Sequence, residues 1–249
     1  MRNIKIEIEY DGTNYCGWQI QQNGITIQGE ITKALRELTG EEITIHGSGR
    51  TDAGAHAKNQ VANFILENNI PTERLPLALN GILPGDITIT NAAEVPVDFH
   101  ARRSAIAKRY IYHIYESKYR SALLRNYSYH VHRKLNHSKM KEAAKMFIGT
   151  HDFRAFMASG SDVRGTVRTI YESDIVNKGK SLYIYIKGNG FLYNMVRIIV
   201  GTLVEIGLGK MQTDWIEQSF EIGDRAMAGH TAPPQGLFLD KVYYPADSL

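Results

Sequence analysis

Residues 194–207 read NMVRIIVGTLVEIG, a segment that is apolar nearly all round. A helix of that kind has no face to give to water, so other elements must enclose it. It is no membrane span, because the longer run that holds it, FLYNMVRIIVGTLVEIGLG, is interrupted by Arg197 and Glu205. A substantial core is therefore required. At 249 residues the chain is long enough to bury roughly 70–75% of its unfolded surface, as one large domain or two modest ones. Arg197 is expected to be at least partly buried in such a helix, where a guanidinium is costly without a carboxylate partner. Spacing alone does not choose that partner.

The elements around this helix follow from periodicity. IKIEIEY (4–10) alternates strictly, placing Ile4, Ile6, Ile8 and Tyr10 on one face of a half-buried strand. The spacing predicts a helix over 27–39, with Ile27, Ile31, Leu35 and Leu38 on one face, Thr26 as N-cap and Gly40 just past the end. ITIHG (43–47) and QVANFIL (60–66) read as strands, and residues 71–98, punctuated by Pro71, Pro76, Pro84 and Pro96, as a short helix with connections. Further on come a strand KRYIYHIYE (108–116) and a helix over 138–147 with Ser138 near its N-cap. The strands TIYESDIV (169–176) and SLYIYIKG (181–188) follow, joined by the turn NKGK. The expected class is α+β: two related lobes, 1–100 and 101–249, sharing a mostly antiparallel central sheet flanked by helices.

Between two of these strands lies GSGRTDAGAHA (47–57), eleven residues with three glycines, Arg50 and Asp52 and no bulky apolar side chain. One reading is a glycine turn whose aspartate caps its own backbone. The other is a loop where a ligand can approach the main chain closely and meet fixed charge. Asp52 is a candidate partner for Arg197, and with Arg50 beside it the carboxylate would be flanked by two cations. Opposite charge within ~4–6 Å favours the ionised form, and an ionised, fixed carboxylate suits a nucleophile. Arg50 would fill the gap left by an extruded base.

Net charge is only +3, but residues 101–150 hold twelve Lys or Arg against two Glu, a local balance of +10. Six tyrosines are threaded through that stretch, Tyr110 among them. Basic residues interleaved with aromatics suit phosphate contact and base stacking, although a solvated charged face has the same composition. Other chemistries find less support. Gly179-Lys180-Ser181 has Asp174 where a phosphate loop needs glycine, so it reads as a hairpin turn. The glycines of 47–54 are spaced wrongly for a dinucleotide fingerprint. His130, His132 and His137 do not make a convincing metal set. The single cysteine, Cys16, excludes an intramolecular disulfide and is expected to be a small buried residue. The alternating N-terminus, MRNIKIEIEYDG, lacks the apolar stretch of a signal peptide, so a cytoplasmic protein is expected.

Gly49-Arg50-Thr51-Asp52-Ala53-Gly54, with His56-Ala57 and Gln60-Val61-Ala62, closely resembles the active-site signature of the TruA family of transfer-RNA pseudouridine synthases. Further blocks that look like the family's follow the same order along the chain: YDGTNYCGWQIQQNGITIQGE (10–30), DFHARRSAIAKRYIY (98–112), GTHDFRAF (149–156), GNGFLYNMVRIIVGTL (188–203) and TAPPQGLFL (231–239). The resemblance implies a pseudouridine synthase fold and isomerisation of uridine at positions 38, 39 and 40 of the tRNA anticodon stem-loop. By motif match Asp52 is the catalytic aspartate, Arg50 the arginine of base flipping, Tyr110 the tyrosine stacked on the target base and Arg197 the partner of Asp52. Arg102, Arg103, Lys108 and Arg109 are expected RNA contacts, and the family implies a homodimer. Turning an N-glycoside into its C-glycoside isomer needs no redox change and no external group, so neither cofactor nor metal is expected. Ile20, where the family leads one to expect arginine, Ala55, Lys58 and an extra proline in TAPPQG depart from the pattern. Two other classes compete: an RNA-binding protein without catalysis, which has no use for Asp52, and a retaining glycosidase, which needs two carboxyl groups ~5–5.5 Å apart where this loop offers one.

Overall fold

The computed structural model describes residues 1–160 and 165–245. The chain forms two compact units, Met1–Ala107 together with the segment from Phe238, and Lys108–Leu237. Along the first unit run β1 (Arg2–Tyr10), α1 (Ile27–Thr39), β2 (His46–Gly47), β3 (His56–Leu66), α2 (Leu75–Asn80) and β4 (Ile87–Val95). There follow β5 (Ala107–Glu116), β6 (Tyr129–Val131), α3 (His137–Met146), β7 (Gly149–Asp152), β8 (Val167–Lys178), β9 (Ser181–Gly188), α4 (Met195–Gly207) and α5 (Trp215–Ile222). β10 (Leu237–Tyr243) then returns the chain to the first unit.

In the first unit β1 pairs antiparallel with both β3 and β4, and β2 adds antiparallel to β3. β10 lies parallel to β3, with Phe238 opposite His56. In the second unit the order is β5-β9-β8-β7, antiparallel throughout, and β6 joins β5 in parallel. The expected α+β class with mostly antiparallel pairing is thus what the chain adopts.

Local sequence explains the first unit well. Ile4, Ile6 and Ile8 of β1 are fully buried and Tyr10 nearly so, as alternation on a one-sided strand requires. Helix α1 begins where the Thr26 hydroxyl accepts the Gly29 N–H at 3.2 Å and ends at Gly40 in the left-handed conformation. It buries Ile27, Ile31, Ala34 and Leu35, each large side chain contributing about 1.5–3 kcal/mol. Leu38 is only half-buried; Ala34 takes its place on the inner face.

In the second unit α4 buries all its apolar side chains, as its composition demands. Phe147, Phe153 and Phe156 are fully buried and meet Phe220 of α5 at centroid separations of 5.2–6.0 Å. Edge-on contacts of this kind add to the area term and hold the 149–156 segment against α5.

Several expectations change. The strand at 43–47 shrinks to His46–Gly47, which pair with Asn63 and Ala62 of β3, although Ile43 and Ile45 are still buried. β3 itself reaches back to His56, absorbing the end of the glycine-rich motif. The proline-rich stretch contains the nine-residue strand β4 as well as a helix. Helix α3 is capped by Asn136, whose side chain accepts the Lys139 N–H at 3.1 Å, and not by Ser138. Cys16 is exposed: its loop spends its inward positions on Tyr15 and Trp18, which are 7% and 2% exposed. Gly179-Lys180 is the tip of the β8–β9 hairpin, with Gly179 at φ 68°.

Candidate active site

Asp52 stands partly exposed on the loop between β2 and β3, and β1, β3 and the segment between β1 and α1 each fasten that loop. The Tyr10 hydroxyl lies 2.7 Å from Thr51 Oγ1 in a buried contact. Trp18 N–H donates to the Thr51 carbonyl at 3.1 Å and Gly54 N–H to the Tyr15 carbonyl at 3.2 Å. From β3, the buried Gln60 side chain accepts the Ser48 hydroxyl at 2.6 Å and donates to the Gly49 carbonyl at 3.0 Å. Ala55 N–H closes a turn onto the Asp52 carbonyl at 3.1 Å, and Gly54 sits at φ 76° inside it, where a side chain would be strained. Main chain before and after the carboxylate is therefore held, at Thr51 and at Gly54, which narrows the positions from which the side chain starts.

Close approach is what the glycines of the neighbouring segment supply. A Cβ on Gly12 would lie 1.9 Å from the Ala55 carbonyl oxygen, so only glycine lets the two loops touch there. His56 completes the joint, its Nδ1 accepting the Gly12 N–H at 3.1 Å while the ring stacks on Phe238 at 4.7 Å. Burial pushes the Tyr10 phenol well above its ordinary pKa, against the lowering effect of its bonds to Thr51 and Gln60. It therefore stays a neutral hydroxyl at working pH.

Arg50 is exposed, and a relay of amides steadies it: Arg50 Nε donates to Gln19 Oε1 at 3.3 Å, Gln19 Nε2 to Gln28 Oε1 at 2.8 Å, and Gln28 Nε2 to the Ile45 carbonyl at 3.0 Å. Of the unusual residues in this unit, Ile20 is 50% exposed, Ala55 is buried, and Lys58 holds its ammonium 5.9 Å from the Phe238 ring. Arg102 and Arg103 are exposed.

In the second unit Tyr110 lies on β5, 7% exposed, with Phe191 edge-on at 5.0 Å. Lys108 and Arg109 beside it are half-buried. Arg197 sits in the first turn of α4 and is half-buried, its Nε donating to the Ala232 carbonyl at 2.7 Å and its Nη1 to Asn194 Oδ1 at 2.8 Å. Asn194 is the N-cap, at φ 58°, the one described non-glycine residue with positive φ. Ala232 returns the contact by donating its N–H to the Arg197 carbonyl at 3.0 Å. The extra proline region keeps its place in this arrangement, since the Tyr112 hydroxyl donates to the Pro233 carbonyl at 2.7 Å. Burial raises the Tyr112 phenol well above its ordinary pKa, opposed by the charge of Arg197.

The structure thus places Arg50 and Asp52 on one loop, and Tyr110 and Arg197 in the other unit. Spacing marks Tyr10 only as a core residue of β1 and does not mark Gln19, Gln28 or Gln60, although YDG, GWQ, TIQGE and QVA hold these four positions. Ten of the twelve cations in 101–150 are exposed, which leaves them available to a polyanion. His130 and His137 do not converge: His130 Nε2 meets the Ser117 carbonyl, whereas His137 lies between Glu116 and Asn177. Among the described residues no three His, Cys, Asp or Glu side chains gather as a metal site, and no helix is long and apolar enough to cross a membrane.

Comparison with known proteins bears on the chain as a whole. The sequence profile of the tRNA pseudouridine synthases matches residues 6–102 and 143–245. A tRNA pseudouridine synthase A from Acetivibrio thermocellus is 53% identical over 244 residues, covering 98% of this chain and all of that one. The proteins of that name from Thermoanaerobacter sp. (strain X514) and Clostridium acetobutylicum are 51% and 48% identical over the same shares. A chain in a solved Cbf5-Nop10-Gar1 complex aligns with 95% of this chain, which spans 48% of its length, at 11% identity and a TM-score of 0.42, too distant to bear on the site. With the family profile spanning both units and near-half identity to full-length relatives, the chain belongs to the tRNA pseudouridine synthase family.

Proposed function

We propose that the protein isomerises uridine to pseudouridine at positions 38, 39 and 40 of the tRNA anticodon stem-loop, with Asp52 as the catalytic residue and the target base flipped out of its stack. The N1–C1′ bond breaks, the base turns, and C5 joins C1′; the C5 proton leaves and N1 gains one. No external group is consumed. One carboxylate serves this course whether it adds to C1′, adds to the base or takes the C2′ proton. Arg50 fills the space left in the stack, Tyr110 stacks on the target uracil, and Arg197 takes the part of the arginine that the family motif carries at its position. Arg102, Arg103, Lys108 and Arg109 meet the RNA backbone. The protein acts as a homodimer in the cytoplasm.

What supports this reading most is the anchorage of the Asp52 loop: a partly exposed carboxylate whose neighbours on both sides are tied to β1, β3 and the turn between β1 and α1. A loop that merely reversed the chain would not need such fixing. Incubation with unmodified tRNA carrying tritium at uridine C5 should release tritium, and Asp52→Asn should abolish release while tRNA binding persists. Unchanged release by that variant would contradict the assignment. Binding with no release by the unsubstituted protein would indicate a binder without catalysis.

A further inference from the structure

After β4 the chain runs through Phe99-His100-Ala101-Arg102-Arg103 toward β5. Such connections are ordinarily loose surface segments, but buried amides grip this one. Asn3 Nδ2 donates to the carbonyls of Pro96 and Phe99, both at 2.9 Å. Asn63 Oδ1 accepts the Ala101 N–H at 2.8 Å, and the Tyr244 hydroxyl donates to the Ala101 carbonyl at 2.7 Å. The two asparagines bond to each other at 2.9 Å and are each 4% exposed. Main chain on both sides of His100 is therefore fixed, and with it the direction of that side chain.

The His100 ring lands on His46, with centroids 4.8 Å apart and planes 30° from parallel. His46 opens β2 and is paired with Asn63, the residue that also holds Ala101. Arg102 N–H donates to His100 Nδ1 at 3.2 Å, so Nδ1 is an acceptor and Nε2 carries the proton. Arg102 and Arg103 are exposed, and among the described residues neither guanidinium has an ion pair or a hydrogen bond. An anchored loop and the start of the catalytic loop's own strand thus bring together a fixed imidazole N–H, a second imidazole and two unpaired guanidinium groups.

We propose that His46, His100, Arg102 and Arg103 form a binding site for a backbone phosphate of the RNA, a contact that rests on tRNA being the substrate as argued above. Guanidinium groups and an imidazole N–H offer only donors, which matches an anionic oxygen and not a base edge with its mixed donors and acceptors. Asp52 lies six positions after His46, a span of at most about 21 Å. The phosphate held there belongs to the stem-loop that presents the target uridine.

The test is a salt titration of tRNA affinity in the Asp52→Asn protein, with two further sets of substitutions, each measured well below its melting temperature. Arg102→Ala with Arg103→Ala should weaken binding about tenfold and reduce the slope of log affinity against log salt by roughly 1, as loss of a phosphate contact requires. His100→Phe keeps a stacked ring but deletes a neutral donor, so it should weaken binding several-fold with the slope unchanged. Wild-type affinity and slope in both sets, while the Asp52-containing protein still releases tritium, would overturn the phosphate site and leave the proposed activity standing. Failure of the unsubstituted protein to bind tRNA would overturn both.

Discussion

The Tyr10 hydroxyl meets Thr51 Oγ1 at 2.7 Å in a contact closed to solvent, one residue before the carboxylate of Asp52. Strand β1 thereby sets the height of the loop that carries Asp52 across 41 positions of sequence. Tyr10→Phe should cost about 1–2 kcal/mol of stability through the hydroxyl left unpaired. It should lower kcat roughly 10- to 100-fold with little change in KM, since small displacements of a reacting group are expensive. Thr51→Ser, which keeps the hydroxyl, should retain most activity. Denaturant unfolding and steady-state kinetics on the two variants check both parts.

Gly12 and Gly179 should respond to alanine very differently. At Gly12 the new methyl would lie 1.9 Å from the Ala55 carbonyl oxygen, forcing the two loops apart at a cost of about 3 kcal/mol or more. At Gly179, φ is 68° and nothing lies within 4 Å of a built Cβ, so only the left-handed strain of about 1–2 kcal/mol applies. Thermal unfolding of Gly12→Ala and Gly179→Ala measures the difference, and Gly12→Ala should also lose most of its activity.

Two helix starts give a third comparison. Asn136→Ala should destabilise by about 1 kcal/mol because its side chain accepts the Lys139 N–H, as should Thr26→Ala at the start of α1. Ser138→Ala, on the exposed side of α3, should change stability by less than about 0.5 kcal/mol. Urea midpoints of the three variants separate them.

These helix ends also mark how far the sequence alone could be read. β1, α1 and α4 were legible because each carries its own period, and α1 carries both caps as well. Near α3 two capping residues compete within three positions, and periodicity cannot rank Asn136 above Ser138. β4 is hidden by the prolines around it, and β2 is shorter than its alternation suggests, since pairing is settled across the sheet and not by local period. At the site, the motif pointed to Asp52 and Arg50. Tyr10, Gln28 and Gln60 act through contacts distant in sequence, which no local pattern reveals. Cys16 is exposed for a similar reason: the loop's inward positions are decided by where Tyr15 and Trp18 pack.

His113 should give stability a pH dependence. It is 6% exposed, and burial holds its pKa below the ordinary value, partly offset by its bond to the Tyr127 carbonyl. The unfolded chain takes up a proton as pH falls below about 6.5, whereas the folded ring resists it. The contribution is therefore complete above that pH and is lost as pH falls from about 6.5 toward the lower folded value, with a slope of no more than about 1.4 kcal/mol per pH unit. Unfolding free energies between pH 5 and 7.5 should slope less in His113→Gln than in the unsubstituted protein.

The most direct test of the central claim is a mass-spectrometric map of pseudouridine in unmodified tRNA treated with the protein. Pseudouridine at positions 38, 39 and 40, and none after treatment with Asp52→Asn, is the predicted result. Pseudouridine confined to other positions, or formed equally by Asp52→Asn, would contradict it.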